Sequence, residues 1–371
     1  RQRQMCIRDS LCYWCFGYGA WLCLALMLAA GIIAHHQKLS ALLAAGILLL
    51  PATQYPATTW WSKPDLDREY VLSLDVEHYF GNIQKMRKHL ETDRQILWVT
   101  YYRNLYNATH PSEINSPVSL SRNLLAWNQP GTNGLILPVN PSASFLSILF
   151  ANELWFTLGD MTMAEHCAML SMIFSPRNSG SRMIKRLAEI NLVNGDDEAA
   201  LKYLRILDKT LLHKSWAEKR IPGQQTPRVK EWLEKKRRDI PTQDHLRSGN
   251  DAVTSLRNLV ASNAGNLRAY EYLLCYHLLS KDLRSFVEDY VPGKVSSSIF
   301  AEALLIHLAR QGNIRAEELI KYQIPVKIAK EFADYTRLYE AKDTSLKEKY
   351  GKTYWFYYHF ATTEPGKESK P

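Results

Sequence analysis

Residues 145–178 read FLSILFANELWFTLGDMTMAEHCAMLSMIFSPRN, and residues 181–213 read SRMIKRLAEINLVNGDDEAALKYLRILDKTLLH. Aligning these two stretches decides the fold. With Gly159-Asp160 set over Gly195-Asp196, Ala164 falls on Ala200 and Trp155 on Asn191. Apolar residues recur at helical spacing on both sides of each Gly-Asp pair. A glycine ends a helix because it accepts the left-handed conformation, and the aspartate after it caps the next helix. Ala164 and Ala200 are small where paired helices must cross closely. Pro176 stops the second helix of the first copy, and Ser175 before it is pushed out of the helical region.

Weaker copies lie outward. Asn263–Tyr290 begins with Asn263-Ala-Gly-Asn266 and carries Lys281-Asp282 in place of Gly-Asp. Ser298–Tyr322 carries Gln311-Gly312-Asn313 at the same joint. Upstream, Arg68–Asp93 and Gln95–Tyr106 read as another helical hairpin. The period of the first two copies lies close to the roughly 34 residues of a tetratricopeptide helix-turn-helix, and the joints resemble its LGDY-x-x-A and DPNN elements, with proline missing from the second copy. Strand-like alternation is absent. The expected fold is all-α: N-terminal transmembrane helices followed by a tetratricopeptide-like alpha-solenoid of helical hairpins. Two stretches interrupt it. Residues 107–142, rich in Pro, Asn, Ser and Gly, form a long connector. Residues 220–248 hold Pro222, Pro227 and Pro241 around VKEWLEKKRRD.

The chain has 371 residues, 46% of them apolar, with 22% charged and 11% aromatic. That excludes disordered, collagenous and disulfide-scaffold classes. The mean hydropathy of -0.28 excludes a chain embedded in lipid throughout. Residues 1–10, RQRQMCIRDS, resemble translated sequencing-adapter read-through, with a natural loop as the other reading, and are set aside. Residues 11–33 contain no charge and are long enough to cross a bilayer. Tyr13, Trp14, Tyr18 and Trp21 form an interfacial aromatic belt. A shorter apolar run at about 39–58 reads as a second span. The remaining divisions are a helical-repeat domain over 62–361 and a disordered tail over 362–371.

Six cysteines give no disulfide framework. Cys167 and Cys275 sit in apolar helical patterns and read as small core residues. The short catalytic motifs are missing: no P-loop, no dinucleotide fingerprint, no HExxH and no GxSxG. Glu165-His166-Cys167 looks ligand-like, but three consecutive helical residues point about 100° apart and cannot share one metal. The reading assigns no catalytic residue, no cofactor and no metal, and leans against an enzyme. Lys235, Lys236, Arg237 and Arg238 form a basic run that is either a solvated face or an anionic contact to lipid or nucleic acid. A net charge of +9 permits either.

The hairpin REYVLSLDVEHYF at 68–80, SRNLLAWNQPGTNGLILP at 121–138, the Gly-Asp pair of repeats and NLRAYEYLLCYHLLSKDLRSFVEDY at 266–290 together resemble an uncharacterised bacterial membrane-protein family, domain of unknown function 6057. The resemblance covers most of residues 11–360. It implies the C-terminal part of a polytopic protein of the bacterial inner membrane, and it brings no catalytic residues. The expected function is a membrane-anchored helical-repeat scaffold, touching the bilayer through residues 11–61 and binding a protein or peptide in its groove. The second reading is an accessory soluble domain of a polytopic membrane transferase acting on lipid-linked substrates. A membrane tether speaks against nucleic acid as partner. In helical repeats the first helix of each pair lines the concave face. Counting from the joints, the exposed groove positions are Glu153 and Phe156 in the first copy, Arg182, Lys185 and Glu189 in the second, and Arg268 and Glu271 in the third. Replacing Arg182 and Lys185 by Glu is expected to abolish partner capture without loss of helicity.

Overall fold

The computed structural model describes residues 66–90, 96–109, 134–137, 139, 145–174, 180–243 and 251–361. Among these residues every regular element is an α-helix. The first three are α1 (Leu66–Phe80), α2 (Ile83–Leu90) and α3 (Leu97–Thr109). The two aligned repeats are α4 (Phe145–Leu158) with α5 (Met161–Ile173), and α6 (Ser181–Asn194) with α7 (Asp197–Asp208). Then come α8 (Lys214–Glu218), α9 (Pro227–Arg237), α10 (Ala252–Ser262), α11 (Leu267–Leu279) and α12 (Leu283–Asp289). The last five are α13 (Ser298–Arg310), α14 (Ala316–Lys321), α15 (Val326–Glu340), α16 (Leu346–Tyr350) and α17 (Tyr354–Phe360).

The all-α expectation stands, and its membrane component is corrected. No helix among the described residues is long and apolar enough to cross a membrane. Even the most apolar of them are short. Helix α4 has 14 residues and α13 has 13, against roughly 20 for a bilayer span. The stretches expected to span, 11–33 and 39–58, lie outside the described residues, as do residues 1–10, Pro176 and the tail 362–371.

The chain divides into two compact units, 1–73 with 172–180, and 74–171 with 181–371. In the first, Ser73 Oγ donates to Tyr70 O within α1 at 2.8 Å. The second holds the hairpins and the candidate site.

One joint recurs along the second unit. Gly159 and Gly195 take φ of +92° and +82°. The next amide reaches back five residues, Asp160 N to Trp155 O at 3.0 Å and Asp196 N to Asn191 O at 2.9 Å. This is the Schellman closure of a helix C-terminus. The aspartate then caps the following helix, with Asp160 Oδ1 accepting from Met163 N and Asp196 Oδ1 from Ala199 N. Gly159 is further constrained, because a Cβ there would meet the Asp239 carbonyl oxygen at 2.2 Å. The Lys281-Asp282 joint does the same work without glycine. Lys281 sits at φ 57°, Asp282 N bonds His277 O, and Asp282 Oδ1 accepts from Ser285 N. Gly312-Asn313 and Lys342-Asp343 repeat the five-residue closure.

Ala164 and Ala200 are fully buried. At Ala164 the lack of bulk lets Asn152 of α4 donate to the Ala164 carbonyl of α5 at 2.5 Å. Ala188, Leu204, Leu207 and Ala217 form a core shared by α6, α7 and α8. In the expected connector, Leu135 and Leu137 are buried, and Asn104 of α3 holds Gly134 O at 2.8 Å. Cys167 and Cys275 are buried thiols within α5 and α11.

The last helices close an aromatic cluster that the sequence reading had not singled out. Tyr335 of α15 stacks on Phe332 and His359, and meets Tyr350 and Trp355 at ring distances below 6 Å. Helix α17 reaches back in sequence. Tyr354 Oη donates to Leu278 O and Tyr357 Oη to Leu279 O, both at 2.8 Å, satisfying the terminal carbonyls of α11. Glu302 of α13 accepts from Tyr354 N at 2.6 Å, and its own carbonyl accepts from Trp355 Nε1 at 3.0 Å.

Candidate functional site

Helices α1, α4, α6 and α9 place charged and aromatic side chains around one cavity of about 210 Å³ in the second unit. Helix α1 contributes His78 and Tyr79, α4 contributes Glu153 and Phe156, and α9 contributes Trp232. Helix α6 contributes Arg182, Lys185, Arg186 and Glu189. These last four recur at helical spacing, so they share one stripe of α6 while Met183, Leu187 and Ile190 are buried.

Two guanidinium groups organise the floor. Arg182 grips Asp75 of α1 with both terminal nitrogens, at 2.6 and 2.8 Å, and also meets Glu153 at 2.8 Å. Arg186 meets Glu153 at 2.5 Å and Glu189 at 3.0 Å. His78 Nε2 lies 3.5 Å from Glu153, and Tyr102 Oη donates to Asp75 at 2.6 Å. Burial disfavours the Glu153 carboxylate, but Arg186, Arg182 and the His78 hydrogen bond outweigh it and hold the carboxyl well below the usual range. Burial likewise opposes the Arg182 cation, and Asp75 with Glu153 more than restores it. Such a pair is costly to break singly, since one buried charge would remain unmatched.

Cations also cover the aromatic faces. The Arg186 guanidinium lies 3.9 Å and the Lys236 ammonium 4.5 Å from the Phe156 ring centre. Lys185 lies 4.5 Å from Tyr79 and 5.1 Å from Trp216, and Arg220 lies 4.1 Å from Trp216. Phe156 and Trp232 stack at 6.3 Å. Burial pushes Lys185 down, with Arg186 and Arg220 adding to it against Glu189. Burial pushes Lys236 down to about 8, with Arg186 and Arg268 adding to it.

Five of the seven residues expected in a groove, Glu153, Phe156, Arg182, Lys185 and Glu189, therefore line one cavity. They are not freely exposed. Glu153 and Phe156 are each 5% exposed, and Arg182 is held by two carboxylates. Exchanging Arg182 for Glu, in the expected double exchange with Lys185, would bring a third carboxylate against Asp75 and Glu153, so that variant tests the packing as well as the groove. Arg268 and Glu271 stand apart from this cavity. Arg268 donates to Thr157 O at 2.9 Å and lies 3.4 Å from Asp239, so it tops the C-terminus of α4. Glu271 is half-buried on α11, within electrostatic reach of Tyr272 and Cys275.

The basic run also divides. Arg237 donates to Leu192 O and Val193 O at 2.8 and 3.0 Å, satisfying terminal carbonyls of α6. Lys236 turns inward to Phe156 O at 3.4 Å. Lys235 and Arg238 face solvent. A positive side chain at a helix C-terminus also interacts favourably with the negative end of the helix dipole.

Sequence reading did not assign Arg186, Tyr79, His78, Asp75 or Trp232 to the site. The spacing of Asp75, His78 and Tyr79 on one face of α1 could have signalled the first helix, and Arg182, Arg186 and Glu189 share a stripe of α6. Trp232 carries no such signal. Glu165, His166 and Cys167 do not converge, for His166 is exposed while Cys167 is buried. Among the described residues no three His, Cys, Asp or Glu side chains gather to hold a metal ion.

These features define an all-helical protein of end-capped hairpins with a charged cavity on its first hairpins. The chain belongs to the Family of unknown function (DUF6057), whose model matches residues 38–361. No curated protein and no solved structure matches it.

Proposed function

We propose that the chain is a helical-repeat scaffold that binds an extended polypeptide segment across the cavity formed by α1, α4, α6 and α9. The observation that carries this reading is the convergence of Glu153, Phe156, Arg182, Lys185 and Glu189, together with Trp232, on one open cavity. Mixed charge beside an indole and a phenyl ring suits a polar polypeptide better than an apolar one. Hairpin repeats use such surfaces for peptide recognition. The inward turn of Lys236 and the helix-capping bonds of Arg237 leave the basic run with little to offer a phosphate backbone, which favours a polypeptide over nucleic acid.

The test is a display library of random extended peptides panned on the purified full chain. Selected peptides lose binding in Trp232→Ala and Lys185→Gln, while far-UV circular dichroism stays that of the parent. Selected peptides that bind both variants unchanged would put the binding surface elsewhere.

A further inference from the structure

The charges around this cavity do not balance. Asp75, Glu153 and Glu189 are consumed by Arg182 and Arg186 through the ion pairs described above. The ammonium of Lys185 forms no ion pair with any described carboxylate and rests instead between the rings of Tyr79 and Trp216. Arg220 and Lys236 add two further cations on Trp216 and Phe156. Of the three cations that line the cavity, Arg182 and Arg186 hold the carboxylates, and Lys185 is the one left without an ion pair among the described residues. The guanidinium Nε groups of Arg182, Arg186 and Arg220 are buried and donate to no described acceptor. Buried donors without partners are rare, and each costs free energy that a suitable acceptor recovers.

We infer that the cavity is a receptor for a single carboxylate, that of a glutamate or aspartate side chain on the bound polypeptide, with Lys185 as its ion-pair partner. This deepens the polypeptide reading above and rests on it. Glu153 and Glu189 lie on the same wall, so a dianionic phosphate meets more repulsion than a monoanionic carboxylate does. The rings of Phe156 and Trp232 offer an apolar wall for the methylene stem of a glutamate. The volume of about 210 Å³ admits a whole acidic side chain.

The experiment measures fluorescence anisotropy of labelled Gly/Ser dodecapeptides, carrying spaced Glu, Gln, Lys or phosphoserine, on the full chain at low ionic strength. Free butyrate is measured as a separate probe through tryptophan fluorescence. The Glu peptide binds about tenfold or more tightly than the Gln peptide, Lys185→Glu removes that preference, and Lys185→Arg keeps it. Lys202→Glu, on the exposed face of α7, changes nothing. Thermal unfolding shows that each variant is folded, and Lys185→Gln stands in should Lys185→Glu fail that check. Equal binding of Glu and Gln peptides, or preference for phosphoserine, overturns the carboxylate assignment. If Gln or Lys peptides bind in a Trp232-dependent manner while the Glu peptide does not, the polypeptide reading survives and the carboxylate assignment falls. If butyrate binds in a Lys185-dependent manner and no peptide binds, the carboxylate site stands and the polypeptide reading falls.

Discussion

Glu302 offers the sharpest quantitative test of the packing. The residue is 8% exposed, and its carboxyl receives the Tyr354 amide at 2.6 Å beside the aromatic cluster. Burial pushes its pKa from 4.5 up to about 7, the Tyr354 hydrogen bond opposes this, and Glu331 adds to it. The sign follows from linkage. Below the unfolded value both states are protonated and the site costs nothing. As pH rises through the interval between 4.5 and about 7 the unfolded chain ionises first, so stability falls, and above the folded value the loss is complete. The full displacement corresponds to about 3 kcal/mol, of which about 2.5 kcal/mol falls between pH 5 and pH 8. Glu302→Gln keeps an oxygen for the Tyr354 amide and cannot ionise. Its added amide carries a pH-independent cost of about 1–3 kcal/mol if unpartnered. The assay is hydrogen exchange under urea, followed in peptides covering 298–310 and 354–360. The parent loses about 2.5 kcal/mol relative to Glu302→Gln over that pH interval, whatever their offset at pH 5. Parallel pH dependences would refute the assignment of a buried, strained carboxyl.

Gly195→Ala is expected to cost about 1 kcal/mol for the left-handed backbone alone, whereas Gly159→Ala costs clearly more because its Cβ meets the Asp239 carbonyl; urea midpoints compare them. Arg182→Met strands Asp75 in the interior and costs about 3 kcal/mol, and adding Asp75→Asn recovers part of that loss, as a double-mutant cycle reads directly. Arg237→Ala loses two helix-terminal hydrogen bonds and costs about 1 kcal/mol, while Arg238→Ala stays within about 0.5 kcal/mol by thermal unfolding.

Much of the hairpin layout was written locally. Gly159-Asp160 and Gly195-Asp196 announce both the helix end and the next cap, and the backbone follows them. The Lys281-Asp282 joint was legible only by its place in the repeat, since lysine rarely takes φ 57° and nothing in its chemistry advertises it. The site was half legible. Counting along the first helix of each pair brought out Glu153 and Phe156 on one helix and Arg182, Lys185 and Glu189 on the next, because helical spacing puts each set on one stripe of its own helix. Counting could not reveal that Arg182 turns down onto Asp75, a partner 107 residues earlier, and so is locked rather than presented. The same blindness to distant partners hid the role of Arg237 and Arg268 as closures of helix ends. The aromatic cluster was missed because 353–361, TYWFYYHF and the alanine after it, reads as one apolar turn until Tyr354 and Tyr357 are seen to reach Leu278 and Leu279.

That reach bears on the order in which the molecule is built. Synthesis delivers α11 long before the tyrosines that finish its last turn, and the Lys281 ammonium finds the Ala361 carbonyl only after that residue has left the ribosome. Until then the Leu279 carbonyl lacks its tyrosine donor, the Leu278 carbonyl has only its local backbone bond from Lys281 N, and the segment from 267 to 310 lacks its final seal. A nascent chain halted before residue 354 is therefore expected to remain open to protease in this segment, and the released chain to resist it.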